Sequence, residues 1–110
     1  MRISEIKTLL AQLGLPVAYL FWPEKLAPPL PYIVWYLPNS NNFNADDRVY
    51  KRVDALNIEL YTATKDFAKE AALEAILDAA GLVWDKTETY LNTEHMFQVL
   101  YTTEVLINAE

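Results

Sequence analysis

Two long stretches of this chain alternate apolar and polar residues, and this alternation constrains the fold more than any other feature. The first covers residues 48–62 and the second residues 97–107. Because successive side chains of a strand point to opposite faces, each stretch predicts a β-strand with one buried and one solvated face. Near Ala55 the apolar residues change parity. That change indicates either a bulge or a strand that passes from one sheet environment into another.

Two other segments have apolar residues at helical spacing. The first helix is predicted over residues 4–13, with Ser4 as its N-cap and Gly14 as the left-handed residue after its end. The second is predicted to begin after Asp66, whose negative charge suits a helix N-terminus, and to end at Gly81. The chain has two glycines, and each of them stands at the end of a predicted helix.

The remaining strands are predicted over residues 32–37 and 82–91. Residues 17–22 are also apolar and β-prone, but the prolines that follow predict an extended arm or a sheet edge. The resulting order is helix, strand, strand, helix, strand, strand. It predicts one α+β domain over residues 1–110, with two helices packed on one face of a mostly antiparallel sheet.

Composition excludes several classes of protein. A hydrophobic fraction of 53% with 22% charged residues is typical of a folded domain, and the lack of cysteine excludes disulfides, thiolate metal sites and cysteine catalysis. No apolar run approaches the roughly 20 residues of a membrane span, which predicts a cytoplasmic protein with no membrane partner. The net charge of −6 disfavours nonspecific nucleic-acid binding. We interpret the basic cluster of Arg48, Lys51 and Arg52 as a solvated face of a strand.

No group of residues indicates catalysis, a cofactor or a metal. His95 is the single histidine and lies beside Glu94 in a predicted turn, where a surface position is the usual interpretation. The Asp46–Asp47 pair lacks the glycine that calcium loops need. No glycine-rich phosphate loop or nucleophile elbow is present. The sequence therefore predicts a non-enzyme without catalytic, cofactor-binding or metal-binding residues.

The aromatic residues, which are three Trp, seven Tyr and four Phe, exceed what a small core must hold. Core packing accounts for most of them. Aromatic residues are enriched in protein–protein interfaces, so the others are candidates for partner contact. These candidates are Tyr36, Phe43, Tyr50 and Tyr61.

Several stretches together resemble a family of small prophage proteins from Firmicutes-type siphophages. These proteins are often labelled only as conserved prophage proteins or minor structural proteins. The matching features are the PYIVWY strand, the SNNF-x-AD loop, the NIELYT strand, the AGL…DKTE hairpin and the EHMFQVLY strand, which together span residues 30–105. Where the family usually has glycine after the SNNF element, this chain has Asn44. A left-handed residue is expected there, and asparagine is the best substitute for glycine.

The helix–hairpin–helix–hairpin order is also similar to that of the tail terminators of long-tailed phages. The resemblance implies hexameric rings that stop tail-tube polymerisation, with the major tail tube protein and the head-completion connector as partners and with DNA passing through the lumen. It implies subunits that are monomeric in solution, assembly in the host cytoplasm and a final place at the head–tail junction of the virion.

Under this interpretation, loop 39–47 projects toward a neighbouring subunit. Phe43 serves as an apolar anchor, and the strand edge at residues 48–53 is available for pairing across the boundary. The asparagines of the loop act as adaptable hydrogen-bonding groups; they are Asn39, Asn41, Asn42 and Asn44. A solvated hairpin connection is the alternative for this loop.

Three other functions remain open at this level. One is a head-side neck or connector protein of similar size, and another is a small non-viral α+β binding domain. The third is a hydrolase that uses Glu94 and His95, which would require His95→Ala to abolish an activity.

Overall fold

The computed structural model describes residues 1–23 and 25–108, with only the backbone described for Tyr50. It contains two helices and seven strands within these residues. In chain order they are α1 (Ile3–Ala11), β1 (Val17–Tyr19), β2 (Tyr32–Tyr36), β3 (Phe43–Ala45), β4 (Arg48–Lys51), β5 (Val53–Thr62), α2 (Phe67–Ala79), β6 (Asp85–Leu91) and β7 (Met96–Leu106).

Five of the strands form one sheet in the order β1-β2-β5-β7-β6, and β3 and β4 form a separate two-stranded sheet. The longest pairing joins β5 to β7, from Val53 opposite Leu106 to Thr62 opposite Phe97. All pairs are antiparallel except β1 with β2. The predicted α+β class is thus confirmed. The predicted element order did not count β1 as a strand, although residues 17–22 were expected to form an arm or a sheet edge, and it lacked the separate β3–β4 sheet.

Both helices cover the same face of the five-stranded sheet. Ile6 and Leu10 of α1 and Leu73 and Leu77 of α2 are fully buried there. Burying a side chain of this size stabilises a fold by about 1.5–3 kcal/mol. The sheet contributes its share of the core through Ile33, Trp35, Leu56, Ile58, Leu60, Val99, Tyr101 and Val105.

The helix ends follow the predictions in three of four places. Asp66 caps α2, since its Oδ1 accepts a hydrogen bond from the Lys69 backbone N–H at 3.0 Å. Gly14 and Gly81 have φ of +83° and +76°, as expected of left-handed residues after helices. Ser4 as N-cap is wrong, because α1 begins one residue earlier, at Ile3, and Arg2 occupies the N-cap position.

The parity change in residues 48–62 marks a passage between two sheets. The break falls at Arg52, between β4 of the small sheet and β5 of the large one. From Val53 onward the burial of β5 alternates without interruption, so no bulge exists at Ala55. The second of the two sequence interpretations is therefore confirmed, three residues upstream of the predicted position.

Residues 17–22 form a short edge strand followed by an arm, close to the expectation. β1 pairs only with β2, and the Leu20 N–H still donates to the Trp35 carbonyl at 2.8 Å. Trp22 then contacts the Tyr32 ring at 5.8 Å between centroids. In the part of the chain that is described, neither helix is long and apolar enough to cross a membrane.

Candidate interaction surfaces

The loop predicted over residues 39–47 folds mainly as a β-hairpin. β3 and β4 are joined by Asp46 and Asp47, which both have positive φ, of 52° and 61°. Positive φ at both central residues is the mark of a type I′ turn, whose twist matches that of the paired strands. The left-handed conformation expected at Asn44 is therefore wrong, because Asn44 lies within β3 and the two aspartates supply the turn.

Hydrogen bonds at its base attach the hairpin to the large sheet. The Asn41 backbone N–H donates to the Val53 carbonyl at 2.7 Å, and the Val53 N–H donates to Asn42 Oδ1 at 2.9 Å. Asn41 Nδ2 also donates to Glu104 Oε2 at 3.0 Å. The Asn39 carbonyl accepts from the backbone N–H of Ala55 at 2.8 Å. Asn41 and Asn42, two of the predicted contact residues, thus fix the direction of the hairpin within their own chain.

Apolar side chains are exposed on both faces of this hairpin. The strand register places Phe43, Ala45, Arg48 and Lys51 on one face, since each lies opposite another member of the set. Phe43 is 61% exposed there, and Val49 on the other face is 58% exposed. A two-stranded ribbon alone is marginally stable in water, so burial of these side chains by a partner would be favourable.

The hairpin also makes the molecule elongated. The principal extents are 50 × 29 × 23 Å, and the radius of gyration is 15.0 Å. A globular chain of this length would have a radius of about 13 Å. Among the described elements, β3 and β4 make only marginal contacts beyond their own pairing. β4 includes the backbone of Tyr50, but the predicted contact role of its side chain lies outside the described residues.

The sheet face opposite the helices carries a chain of polar groups. Tyr36 and Tyr61 donate their hydroxyl hydrogens to the two oxygens of Glu59, at 3.1 and 2.6 Å. Asn57 Nδ2 donates to the Tyr36 hydroxyl at 3.3 Å, and Gln98 Nε2 donates to the Tyr61 hydroxyl at 2.8 Å. Burial and the neighbouring Glu59 carboxylate raise the pKa of Tyr61 well above its usual value of 10.0. Tyr36 and Tyr61, two of the three tyrosines proposed for partner contact, are therefore half-buried and oriented by this polar chain.

A second polar cluster joins α2 to β6 at the edge of the core. Glu70 is only 4% exposed and forms ion pairs with Lys65 and Lys86. Lys86 Nζ also lies 2.7 Å from Glu74 Oε2, which accepts a hydrogen bond from the Tyr101 hydroxyl at 2.7 Å. Sequence patterns did not predict this cluster. One sequence feature could have indicated it: Glu70 stands three residues before Leu73, so a charged side chain falls on the buried stripe of α2.

The pKa values in this cluster follow the balance between burial and paired charge. Burial disfavours the charged forms of Lys65 and Glu74, but their partners outweigh it, so the pKa of Lys65 is raised and that of Glu74 is lowered. The hydrogen bond to Glu74 is the main cause of the raised pKa of Lys86. Burial, together with Glu74, also raises the pKa of Tyr101 far above 10.0. The cluster therefore holds two lysines and a carboxylate in their charged forms near neutral pH.

The histidine singled out from the sequence lies at the surface. His95 is exposed in the β6–β7 turn with φ of 53°. Within residues 1–23 and 25–108, no three His, Cys, Asp or Glu side chains are grouped as a metal site would require. The hairpin and the open sheet face carry the predicted contact residues and are therefore the candidate interaction regions.

Comparisons with known proteins show a similarity of fold to a solved virion chain. The sequence matches no family model, and no curated protein matches it. Among solved structures, a chain from the "virion of native gene transfer agent (GTA) particle" superposes with a TM-score of 0.55 at 20% identity. The match covers 91% of this chain and 84% of that chain. At this level of identity, the two chains share a fold.

Proposed function

We propose that this chain is a structural subunit of a phage-type virion. The observation that carries the proposal is the likeness of fold to a chain of the gene transfer agent virion over 91% of the present chain. The similarity covers nearly all of both chains, so it concerns the whole domain and not one hairpin. The proposal agrees with the resemblance to small prophage structural proteins and takes no support from any catalytic group.

More narrowly, we propose a tail terminator whose ring caps the tail tube and joins it to the head connector. A closed ring needs heterologous contacts, in which one patch of a subunit meets a different patch of the next. The β3–β4 hairpin suits one half of such a contact, because it projects from the body and exposes Phe43 and Val49 on its two faces. Phe43 would be buried on assembly, and each exposed aromatic ring buried in an interface is a candidate energetic centre.

The charge of the chain suits a lumen that carries DNA. With fifteen acidic and nine basic residues, most assembled surfaces would repel phosphate. In this proposal the subunits stay monomeric in the host cytoplasm until they meet the end of the tube. The ring then remains at the head–tail junction, with the major tail tube protein on one side and the connector on the other.

A binding experiment with components of the same genome tests the proposal. The chain is immobilised and offered tubes of the major tail protein or portal-bearing heads in separate reactions. We expect retention of tubes, and Phe43→Ala should weaken it while leaving the fold intact. Phe67→Ala is a matched control, since Phe67 is 73% exposed but lies at the start of α2.

The other outcomes of this experiment are equally informative. Retention of heads without tubes would contradict the terminator assignment and place the chain in the neck. Retention of neither component would contradict the virion proposal, and a small non-viral binding domain would then be the better description.

A further inference from the structure

The β3–β4 hairpin presents two cations that form no ion pair with a carboxylate of the described residues. Arg48 and Lys51 lie on the same hairpin face as Phe43. In the described residues, neither forms an ion pair. Most other basic side chains do have a carboxylate partner; they are Arg2, Arg52, Lys65, Lys69 and Lys86. The basic hairpin face, which we define as Phe43, Ala45, Arg48 and Lys51, therefore combines an aromatic ring with two available charges.

An open groove elsewhere on the molecule has the opposite character. It has a volume of about 600 Å³ and lies where β5, β6 and β7 meet the segment after α2. Val83 forms an apolar wall and is 89% exposed. Two exposed carboxylates also line it, those of Asp85 and Glu104. We call this the acidic groove; its lining residues are Ala55, Gly81, Val83, Asp85, Thr102, Thr103 and Glu104.

The two carboxylates differ in their availability. One oxygen of Glu104 accepts a hydrogen bond from Asn41, which leaves its other oxygen for a partner. Asp85 takes part in no ion pair with a described residue. An exposed carboxylate next to exposed apolar surface is suited to a partner that offers both a cation and an apolar side chain.

We propose that the acidic groove of one copy receives the basic hairpin face of a second copy. One apolar group and two cations on the hairpin match one apolar wall and two carboxylates in the groove. Within the described residues no ion pair joins these two surfaces, so both stay accessible to a second copy. It is heterologous, and repetition of such a contact closes a ring or extends a filament.

The closed ring in this inference rests on the proposed function, but the contact between two copies can be tested separately. Charged pairs at the rim of an interface mainly set association rate, specificity and salt dependence. Burial of Phe43 against the wall at Val83 would supply most of the affinity, because apolar burial dominates the core of an interface. The contact should therefore weaken, without disappearing, as ionic strength rises.

Site-directed cross-linking tests the contact without any tail component. The chain has no cysteine, so Lys51→Cys and Asp85→Cys can be introduced into separate preparations and mixed at high concentration with a short bis-maleimide reagent. We expect cross-linked heterodimers at a yield at least tenfold above that of a control mixture of Lys7→Cys with Asp85→Cys. Lys7 is exposed on α1 and is also free of ion pairs with described residues.

Charge reversal provides the second arm. Arg48→Glu with Lys51→Glu, or Asp85→Lys with Glu104→Lys, should each reduce self-association about tenfold, and a chain carrying all four changes should regain it. The control pair Lys7→Glu with Lys25→Glu changes net charge equally and should have little effect. Asn41→Ala separately measures the loss of the Asn41–Glu104 bond.

The outcomes separate this inference from the proposed function. Capped tubes whose rings give no Lys51–Asp85 cross-link would overturn the inference and leave the terminator assignment intact. A specific cross-link in a chain that does not bind tubes would support the contact and contradict the terminator. If Arg48→Glu instead lowers binding to DNA and no cross-link forms, the basic hairpin face binds nucleic acid and the inference is wrong.

Discussion

The Tyr101 hydroxyl donates a hydrogen bond of 2.7 Å to Glu74 Oε2 and so ties the centre of β7 to α2. Tyr101 is completely buried, whereas Glu74 lies at the edge of the helix–sheet interface and also receives Lys86. This bond therefore joins the apolar core to the ion cluster around Glu70.

Removal of the Tyr101 hydroxyl should destabilise the fold moderately. Tyr101→Phe keeps the buried ring but deletes one hydrogen bond to a charged acceptor, so we expect the free energy of unfolding to fall by about 1–2 kcal/mol. Urea denaturation followed by circular dichroism measures this change. Tyr90→Phe is the control, because Tyr90 is 43% exposed on β6 and should change stability little. Equal losses in the two variants would contradict the role of this bond.

Stability should fall at both ends of the pH range. The pKa of Glu74 is lowered from 4.5, so its contribution is complete above pH 4.5 and is lost as pH falls through the lowered value. The pKa values of Lys65 and Lys86 are raised from 10.5, so their contribution is complete below pH 10.5 and is lost as pH rises through the raised values. Denaturant midpoints between pH 3 and 11 measure both limbs. Glu74→Gln should flatten the acid limb relative to Glu5→Gln, and identical limbs would contradict this assignment.

The start of α2 should depend on Asp66. Its carboxylate accepts from the Lys69 N–H at 3.0 Å, and loss of an N-cap of this kind costs about 1 kcal/mol. Asp66→Ala should therefore lower the free energy of unfolding by about that amount, as measured by thermal or urea unfolding. Arg2→Ala, at the N-cap position of α1, should have a smaller effect because Arg2 makes no side-chain cap there. The reverse order of effects would contradict the prediction.

The hairpin turn can be strengthened without altering either strand. Type I′ turns favour Asn-Gly over Asp-Asp, since both central residues have positive φ. Asp46→Asn with Asp47→Gly should slow amide hydrogen exchange in β3 and β4. Asn44→Gly is the opposite control, because glycine inside a strand costs about 0.5–1 kcal/mol and should speed exchange. Unchanged exchange in the turn variant would indicate that the turn does not limit hairpin opening.

The attachment of the hairpin should depend on Asn42. Its Oδ1 accepts from the Val53 N–H at 2.9 Å at the point where β4 passes into β5. Asn42→Ala leaves that N–H without its acceptor, so its hydrogen exchange should become about tenfold faster. Asn39→Ala should leave it unchanged, because Asn39 contributes to the hairpin base mainly through its backbone carbonyl. Equal exchange rates in both variants would contradict the anchoring role.

Regular periodicity made much of this fold predictable from sequence. The alternation in residues 53–62 and 96–106 reports local burial directly, and Asp66, Gly14 and Gly81 are local signals for helix ends. The separate hairpin was not predicted, because the dipeptide Asp46–Asp47 is a weak turn signal without glycine. The ion cluster was missed for a different reason: Lys65, Glu70 and Lys86 are distant in sequence and meet only when α2 packs beside β6.

Of the predicted contact residues, Phe43 lies on the projecting hairpin with 61% of its side chain exposed. Tyr36 and Tyr61 bond to Glu59 on the open sheet face, and Asn41 and Asn42 serve the hairpin base. Pattern alone does not distinguish these uses, because asparagine and tyrosine suit both internal bonding and partner contact. Contact through any of these residues stays a prediction.

The most direct test of the central claim is to co-express this chain with the major tail protein of its genome and to measure tube lengths by negative-stain electron microscopy. The account predicts tubes that each end in a ring-shaped cap, with tagged copies of this chain located at that end, and fewer caps when Phe43→Ala is used. Tubes of unbounded length without caps, at the same level of soluble protein, would contradict it.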